Sequence, residues 1–221
     1  MRTVWIAALS LGFSLGTAKA GSFETPVVPA LETELLQSAS GLNPDALHAA
    51  LTTFESLRAK GEVHSSFLSV IDYSLPSTAK RMWVFDLDAR RIVFNELVAH
   101  GRNTGEDVAV TFSNDDGSYK SSLGAFVTGD AYDGKNGYSM RLRGLEPNVN
   151  DHAEERAIVL HGAWYVDEAL ATSQGRIGRS LGCPAVRPEI AKSLIDTVKG
   201  GGLLFAYYPD TNWLKTSAFL N

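Results

Sequence analysis

The chain has 221 residues, of which 44% are hydrophobic and 20% charged, and its formal net charge is −5. This composition is that of an ordinary globular protein and excludes disordered and fibrous chains. The mild acidic excess offers no basic surface for nucleic acid or for an anionic membrane, so neither is expected as a partner.

The first twenty residues contain the three parts of a secretory signal in the usual order. Met1-Arg2 precedes an apolar run over residues 4–15, and the small-x-small sequence Ala18-Lys19-Ala20 follows. A hydrocarbon core of about 30 Å takes about twenty apolar residues to cross, so this run is too short for an anchor. We therefore expect a signal peptide at 1–20, cleavage after Ala20, export, and no membrane span after cleavage.

Residues 21–60 are expected to form a linker and then an N-terminal helical extension. Two prolines break regular structure over residues 21–29, and residues 31–36 are a short helical candidate. A longer helix is predicted after Asn43, which suits the cap, with Pro44 at its first position. Its apolar residues recur at helical spacing: Leu47, Ala50, Leu51, Phe54 and Leu57.

From Phe67 onward the pattern changes to short β-type runs separated by Gly, Asn and Asp. The predicted strands are 67–71, 82–87, 92–98, 123–128, 138–142, 156–160 and 203–208. The second and third are close enough to form a hairpin, and an amphipathic helix is predicted over residues 188–199. Residues 61–221 are therefore expected to form one domain, mainly β with a few helices (α+β).

Cys183 is the only cysteine of the chain, so no internal disulfide is possible. A single free thiol is either an inert buried side chain, which is common for free cysteine, or one kept for its reactivity. The residues around it favour reactivity. Gly182 precedes it and allows a sharp turn, so that the N–H groups of Gly182 and Cys183 are candidates for an oxyanion hole.

A cysteine nucleophile also needs a general base and an acceptor that orients this base. His161-Gly162 ends the predicted strand at 156–160 and supplies a candidate base. His100-Gly101 is a second His-Gly that follows a strand, so it remains a rival. A zinc site is not expected, because the histidines lack the spacing of a His-Glu-x-x-His helix, and no cofactor is expected.

The His-Gly, the loop after it and the pattern Ser180-Leu181-Gly182-Cys183 resemble the L,D-transpeptidase catalytic domain of bacterial cell-wall enzymes. Residues 121–126 are similar to the family's upstream Thr-Pro-x-Gly-x-Phe element, and matching segments run from about residue 67 to 208. Leu181 stands where the commonest family motif has a second His, and the gap between His161 and Ser180 is slightly long. The resemblance is therefore to a divergent branch.

The resemblance implies a sandwich-like β fold, a location in the periplasm or cell envelope of a bacterium, and peptidoglycan stem peptides as partners. Cys183 would form a thioester with a stem peptide, and His161 would be its base. An amine would then complete transpeptidation, or water would make the enzyme an L,D-carboxypeptidase. The resemblance also implies that the main-chain carbonyl of Gly162 orients His161. Side-chain orienters are the competing idea, with Asp167, Asn150 and Asp151 as candidates.

Further residues near the motif are candidates for contacting the substrate or the thiol. Positive charge near the thiol is expected from Arg176, Arg179 and Arg187, and Arg179 is the candidate for binding a substrate carboxylate. Three further substrate-binding candidates are Ser180, Trp164 and Tyr165. A flap over the site is suggested for residues Tyr132, Lys135, Asn136 and Tyr138.

Two other classes of function stay open. The chain could be a non-enzymatic, exported envelope-binding protein whose Cys183 is merely buried. A sortase-like or papain-like cysteine enzyme is the weaker alternative, because the sequence motifs of those families do not occur around Cys183.

Overall fold

The computed structural model describes residues 28–220. The predicted signal peptide at 1–20, its cleavage after Ala20 and residues 21–27 of the predicted linker lie outside this range. Over residues 28–220 no helix is both long enough and apolar enough to cross a membrane.

Five helices and eight strands make up the described part of the chain. The helices are α1 (Val28–Ser38), α2 (Pro44–Ala59), α3 (Glu168–Gln174), α4 (Pro188–Val198) and α5 (Thr211–Thr216). The strands are β1 (Phe67–Asp72), β2 (Met82–Asp86), β3 (Arg91–Glu96), β4 (Gly124–Gly134), β5 (Gly137–Gly144), β6 (Val159–Gly162), β7 (Ala185–Val186) and β8 (Leu203–Tyr207). The predicted class, a β-rich α+β fold with N-terminal helices, is confirmed.

All eight strands are linked by hydrogen bonds into one sheet, in the order β3-β2-β1-β8-β4-β5-β6-β7. The pairs β1–β8 and β6–β7 are parallel, and the other neighbours are antiparallel. The predicted hairpin of β2 and β3 is present. β4 is longer than predicted because a bulge between Thr128 and Ala131 lets it continue to Gly134.

Two helices, α2 and α4, pack on the sheet with the apolar faces that the sequence predicts. The Asn43 side chain accepts a hydrogen bond from the Asp45 N–H at 2.9 Å, which caps α2, and the apolar face of α2 packs on β1 and β8. α1 begins at Val28, inside the predicted linker, because proline is tolerated in the first turn of a helix. α4 packs on β5 and β6.

The register of β5 and β6 divides their side chains between two faces. Successive side chains of a strand alternate, and directly paired residues share a face. Leu160 pairs with Met140 on the face covered by α4, where a Cβ at Gly162 would lie 2.9 Å from the Cβ of Ala191. His161 pairs with Ser139 on the opposite face. We call this opposite face, with Ser139, Arg141, Val159 and His161, the histidine face.

Candidate active site

The segment that carries Cys183 is held between two stretches of extended chain. On one side β7 pairs with β6 in parallel, with Ala185 opposite His161. On the other side the Ala99 N–H donates to the Ala185 carbonyl at 2.8 Å. The Ser180 N–H donates to the His100 carbonyl at 2.9 Å. Both His-Gly dipeptides of the sequence therefore flank the cysteine segment, one on each side.

Ser180 and Gly182 form the turn that presents the cysteine. The Ser180 hydroxyl accepts the Gly182 N–H at 3.0 Å and donates to the Cys183 carbonyl at 2.6 Å. Gly182 has φ +129, and a Cβ there would lie 2.9 Å from the Lys120 carbonyl oxygen, so this position favours glycine.

This turn changes two expectations from the sequence. Because the Gly182 N–H is already bonded to Ser180, it is not available as an oxyanion donor in this conformation. The Cys183 N–H remains the candidate donor. The Ser180 hydroxyl is likewise bonded inside the turn, and the Ser180 side chain is buried. Ser180 therefore shapes the loop and is not exposed for contact with a substrate.

The Cys183 thiol is half-buried and lies against the start of β6. Its sulfur accepts the Val159 N–H at 3.5 Å, and it lies 3.7 Å from the Ala157 carbonyl oxygen, to which it donates. Burial raises the pKa of the thiol, while the Val159 N–H and then the charge of Arg156 act to lower it. The resting thiol is therefore neutral, and it would need a base to act as a nucleophile.

His161 is 5% exposed and has one ring nitrogen fixed by the backbone. Its Nδ1 lies 3.0 Å from the Gly162 carbonyl oxygen, and since a carbonyl only accepts, Nδ1 carries the proton. Nε2 is left with a free lone pair, as a general base requires. Burial lowers the pKa of His161, so the imidazole is neutral at rest. Gly162 thus makes the contact that the family resemblance implies.

The hydrogen bonds among the described residues do not include one between the His161 imidazole and the Cys183 thiol. Catalytic hydrogen bonds are often long in free enzymes and shorten when substrate binds. The pairing of these two side chains in catalysis stays a prediction.

His100 is fully buried and both its nitrogens are occupied. Arg81 Nη2 lies 2.7 Å from Nδ1, and the Gly105 carbonyl lies 3.2 Å from Nε2. Burial first, and then the Arg81 charge, lower the pKa of His100 to about 4. His100 therefore has no free lone pair for a substrate proton, and the geometry favours His161 as the base.

The three arginines expected near the thiol are paired with other side chains. Arg176 and Arg179 both contact the Glu106 carboxylate, at 3.3 and 2.7 Å, and Arg187 binds Glu96 through two hydrogen bonds of 2.8 and 2.9 Å. Arg179 also donates to the carbonyls of Arg102 and Gly105. A substrate carboxylate would have to displace these partners, so Arg179 is poorly suited to bind it.

Arg156, which the sequence analysis did not single out, is the arginine whose charge acts on the thiol. Its Nη1 donates to the Ser122 hydroxyl at 2.6 Å and the Ser113 carbonyl at 2.8 Å, and its Nη2 donates to the Lys120 carbonyl at 2.7 Å. Arg156 thereby joins the chain at residues 113–122 to the segment before β6, and a Cβ at Gly182 would lie 3.4 Å from its Nη2. Its sequence context, after two glutamates and before a strand, gives no signal of this role.

The predicted aromatic residues lie at the edge of the site. Trp164 is 79% exposed and packs edge-on against Tyr165, with ring centroids 5.8 Å apart. Burial, and then the thiol, raise the pKa of Tyr165 to about 12, which places its hydroxyl in the electrostatic range of Cys183. Trp164 is therefore open to solvent and Tyr165 is the one whose pKa the thiol affects, and their role in binding substrate stays a prediction.

The four suggested flap residues lie on the β4–β5 hairpin but do not act together. Tyr132 pairs with Ser139 and so shares the histidine face. The Tyr138 hydroxyl donates to Asp196 of α4 at 2.6 Å, on the other face. Lys135 and Asn136 are exposed at the turn of the hairpin. Only Tyr132 is placed to contact a substrate at the histidine face.

The three candidate side-chain orienters are all engaged away from His161. Asp167 caps α3 by accepting the Leu170 N–H at 2.9 Å. Asp151 accepts hydrogen bonds from Asn114 and Asn148, and Asn150 bonds to the backbone of residues 123, 125 and 146. Among residues 28–220 no three His, Cys, Asp or Glu side chains are grouped to hold a metal ion.

The sequence profile of the L,D-transpeptidase catalytic domain matches residues 38–207. The chain therefore belongs to the L,D-transpeptidase catalytic-domain family. No curated protein matches it.

Three solved structures are similar at low identity. An L,D-transpeptidase from Mycobacterium smegmatis is 14% identical, with a TM-score of 0.41, covering 65% of this chain and 59% of that one. The helical cell shape determining protein Pgp2 from Campylobacter jejuni is 11% identical, with a TM-score of 0.43, covering 72% and 57%. L,D-transpeptidase 3 from Mycobacterium tuberculosis is 13% identical, with a TM-score of 0.39, covering 65% and 61%. The chain spans less than two thirds of each of these proteins.

Proposed function

We propose that this protein is an exported peptidoglycan L,D-transpeptidase that forms a thioester between Cys183 and a stem peptide and transfers it to an amine. The observation that carries the proposal is the arrangement around β6. The Cys183 thiol contacts Val159 at one end of this short strand, and His161, with Nε2 unprotonated, lies two residues further on. Membership of the family supports the choice of peptidoglycan as the substrate.

The first half of the proposed reaction builds the thioester. The sulfur attacks the carbonyl carbon at the L-centre of a stem tetrapeptide while Nε2 of His161 takes the thiol proton. The carbonyl electrons move to its oxygen, for which the Cys183 N–H is the proposed donor. When the C–N bond breaks, His161 returns the proton to the leaving amine of D-alanine. The Nδ1–H bond to Gly162 persists throughout and holds the ring in one tautomer.

The second half releases the product. The amine of a second stem attacks the thioester carbon, gives a proton to His161, and a new amide forms as the C–S bond breaks. The proton then returns to the sulfur. Water in place of the amine gives a carboxypeptidase with the same residues, because both reactions share the thioester.

The test is to incubate the purified protein with defined stem tetrapeptides, with and without an amine acceptor, and to follow products and intact protein by mass spectrometry. We expect release of D-alanine, an acyl adduct on Cys183 and a cross-linked product when the acceptor is present. Cys183→Ala is the control and should form no adduct. Hydrolysis alone would assign the carboxypeptidase activity. An unmodified wild-type protein that leaves every peptide intact would favour the non-enzymatic alternative.

A further inference from the structure

Arg141 lies on the histidine face next to the nucleophile. It pairs with Val159 across β5 and β6, so the two side chains leave the sheet on the same side. Val159 is also the residue whose N–H contacts the Cys183 sulfur. Directly paired residues have Cβ atoms about 5 Å apart, so the guanidinium is within reach of a peptide bound at the thiol.

The Arg141 guanidinium is exposed and stacked. Its Cζ lies 4.6 Å from the centroid of the Tyr132 ring, and no carboxylate among residues 28–220 forms an ion pair with it. Two residues along the same strand, Arg143 binds Glu62 at 2.8 Å. Stacking on Tyr132 holds the guanidinium plane in place, so its hydrogen-bond donors are available at a small further cost in side-chain entropy.

Tyr132, Arg141 and Glu154 line a small pocket together with the chain at residues 157–159, which contacts the thiol. Its volume is about 60 Å³. A cavity needs about 10–15 Å³ by this measure to hold one water molecule, so the pocket has room for a small polar group. Glu154 places a negative charge on the same rim, which disfavours a polyanion such as a phosphate polymer in this pocket.

We propose that Arg141 binds a carboxylate of the acyl-donor peptide and thereby fixes the donor beside Cys183. A guanidinium presents two parallel N–H groups that match the two oxygens of a carboxylate. This role, which the sequence suggested for Arg179, passes to Arg141 because Arg179 is held by Glu106. The inference rests on the proposed function, since it presumes that the donor is a peptide with free carboxylates.

The experiment compares Arg141→Gln and Arg141→Lys with the control Arg143→Gln, which removes the same charge from the same strand. The substrates are the donor tetrapeptide and a set of analogues in which each free carboxylate in turn is an amide. Acylation of Cys183 is followed by intact mass under single-turnover conditions. Binding of the same peptides is measured by calorimetry in the Cys183→Ala background, which needs no turnover.

We expect Arg141→Gln to lower acylation and affinity about tenfold to a hundredfold for the unmodified donor, as for a lost charged hydrogen bond. For wild type, one amidated analogue should show acylation and affinity lower than those of the unmodified donor by the same factor. For Arg141→Gln, this analogue and the unmodified donor should behave alike. Arg141→Lys should retain part of the effect, and Arg143→Gln should behave as wild type.

The proposal is overturned if Arg141→Gln weakens every amidated analogue as much as the unmodified donor. It is also overturned if Arg143→Gln has the same effect, which would indicate a general loss of positive charge. If wild type binds the donor more tightly than the amidated analogue, as expected, but Cys183 is never acylated, the proposed function fails and the carboxylate site stands. If wild type neither binds nor acylates any peptide, both fail.

Discussion

The Nδ1 of His161 lies 3.0 Å from the carbonyl oxygen of the next residue, Gly162. The acceptor that fixes the tautomer of this imidazole is therefore part of the main chain. Unlike the aspartate of a catalytic triad, it cannot be removed by a side-chain substitution.

The first prediction follows from this contact. Asp167→Ala and Asp151→Ala should each keep kcat/KM within about tenfold of wild type, because neither side chain orients the base. Loss of the α3 cap in Asp167→Ala should cost about 1 kcal/mol of stability, measured by urea unfolding. A folded variant of either kind whose activity fell to the level of a His161 variant would instead identify a side-chain orienter.

The second prediction separates the two histidines. His161→Gln should lower kcat/KM at least about a hundredfold with little change in stability, as expected for the loss of a general base. His100→Gln should destabilise the protein, because the buried Arg81 loses its imidazole partner, while the folded fraction keeps most of its activity. Urea unfolding and the acylation rate at a fixed folded concentration are the two measurements. The reverse pattern would assign the base to His100.

The third prediction concerns the acid limb of the pH profile. Burial lowers the pKa of His161, so the imidazole stays neutral to a lower pH than a free histidine. Activity that requires a neutral base should therefore fall on acidification with a midpoint below about 6.5, the ordinary histidine value. The measurement is kcat/KM against pH with wild type. A midpoint clearly above that value would mean that the base is stabilised in its charged form.

The fourth prediction concerns stability and pH. The pKa of His100 is about 4 in the folded protein, against about 6.5 in an unfolded chain. The unfolded chain therefore binds a proton that the folded one does not, and stability falls as the pH drops from about 6.5 to about 4. The lost stability is up to about 3 kcal/mol. His100→Gln should show a smaller fall over this range, and equal slopes for the two proteins would contradict the assignment.

The fifth prediction tests Arg156. Its positive charge lowers the pKa of the Cys183 thiol, so Arg156→Gln should move the thiol pKa upward. The rate of alkylation by iodoacetamide, measured against pH, reports this shift because the thiolate is the reactive form. Arg176→Gln is the matched control, since Arg176 is paired with Glu106, and its profile should stay with wild type. Identical alkylation profiles for all three proteins would show that Arg156 only holds the neighbouring chain in place through its hydrogen bonds and does not affect the thiol pKa.

The helices and strands that the sequence predicted are those whose pattern lies in adjacent residues. Each predicted strand run overlaps a strand of the structure, and the helix cap at Asn43 was readable because capping depends on adjacent residues. β7 has two residues, and α3 and α5 are shorter than two turns, so periodicity could not find them. The start of β6 was misplaced by three residues because Ala157 adopts a left-handed conformation, with φ 53.

In the candidate site, the motif residues have a signal in the adjacent sequence, and the side chains that contact them do not. Cys183, His161 and Gly162 are close in sequence to glycines and strand ends that mark them. Arg179 is held by Glu106, which lies 73 residues away, and Arg156 reaches Ser122 across 34 residues. Which arginine is free and which is paired depends on such distant contacts. A single sequence gives no information about them.

The bridge between Ala99 and Ala185 has a consequence for how a peptide can approach the nucleophile. β7 ends the sheet, and an edge strand ordinarily offers unpaired backbone groups on which another chain can add. Here the Ala99 N–H bonds to Ala185, and the Arg102 N–H bonds to Ser180 at 2.8 Å, so that edge is closed on the cysteine segment. The donor peptide of the proposed reaction would therefore have no free edge at β7 on which to extend the sheet. In the proposed reaction the donor would approach from the histidine face, where side chains rather than strand pairing would decide which peptides are accepted.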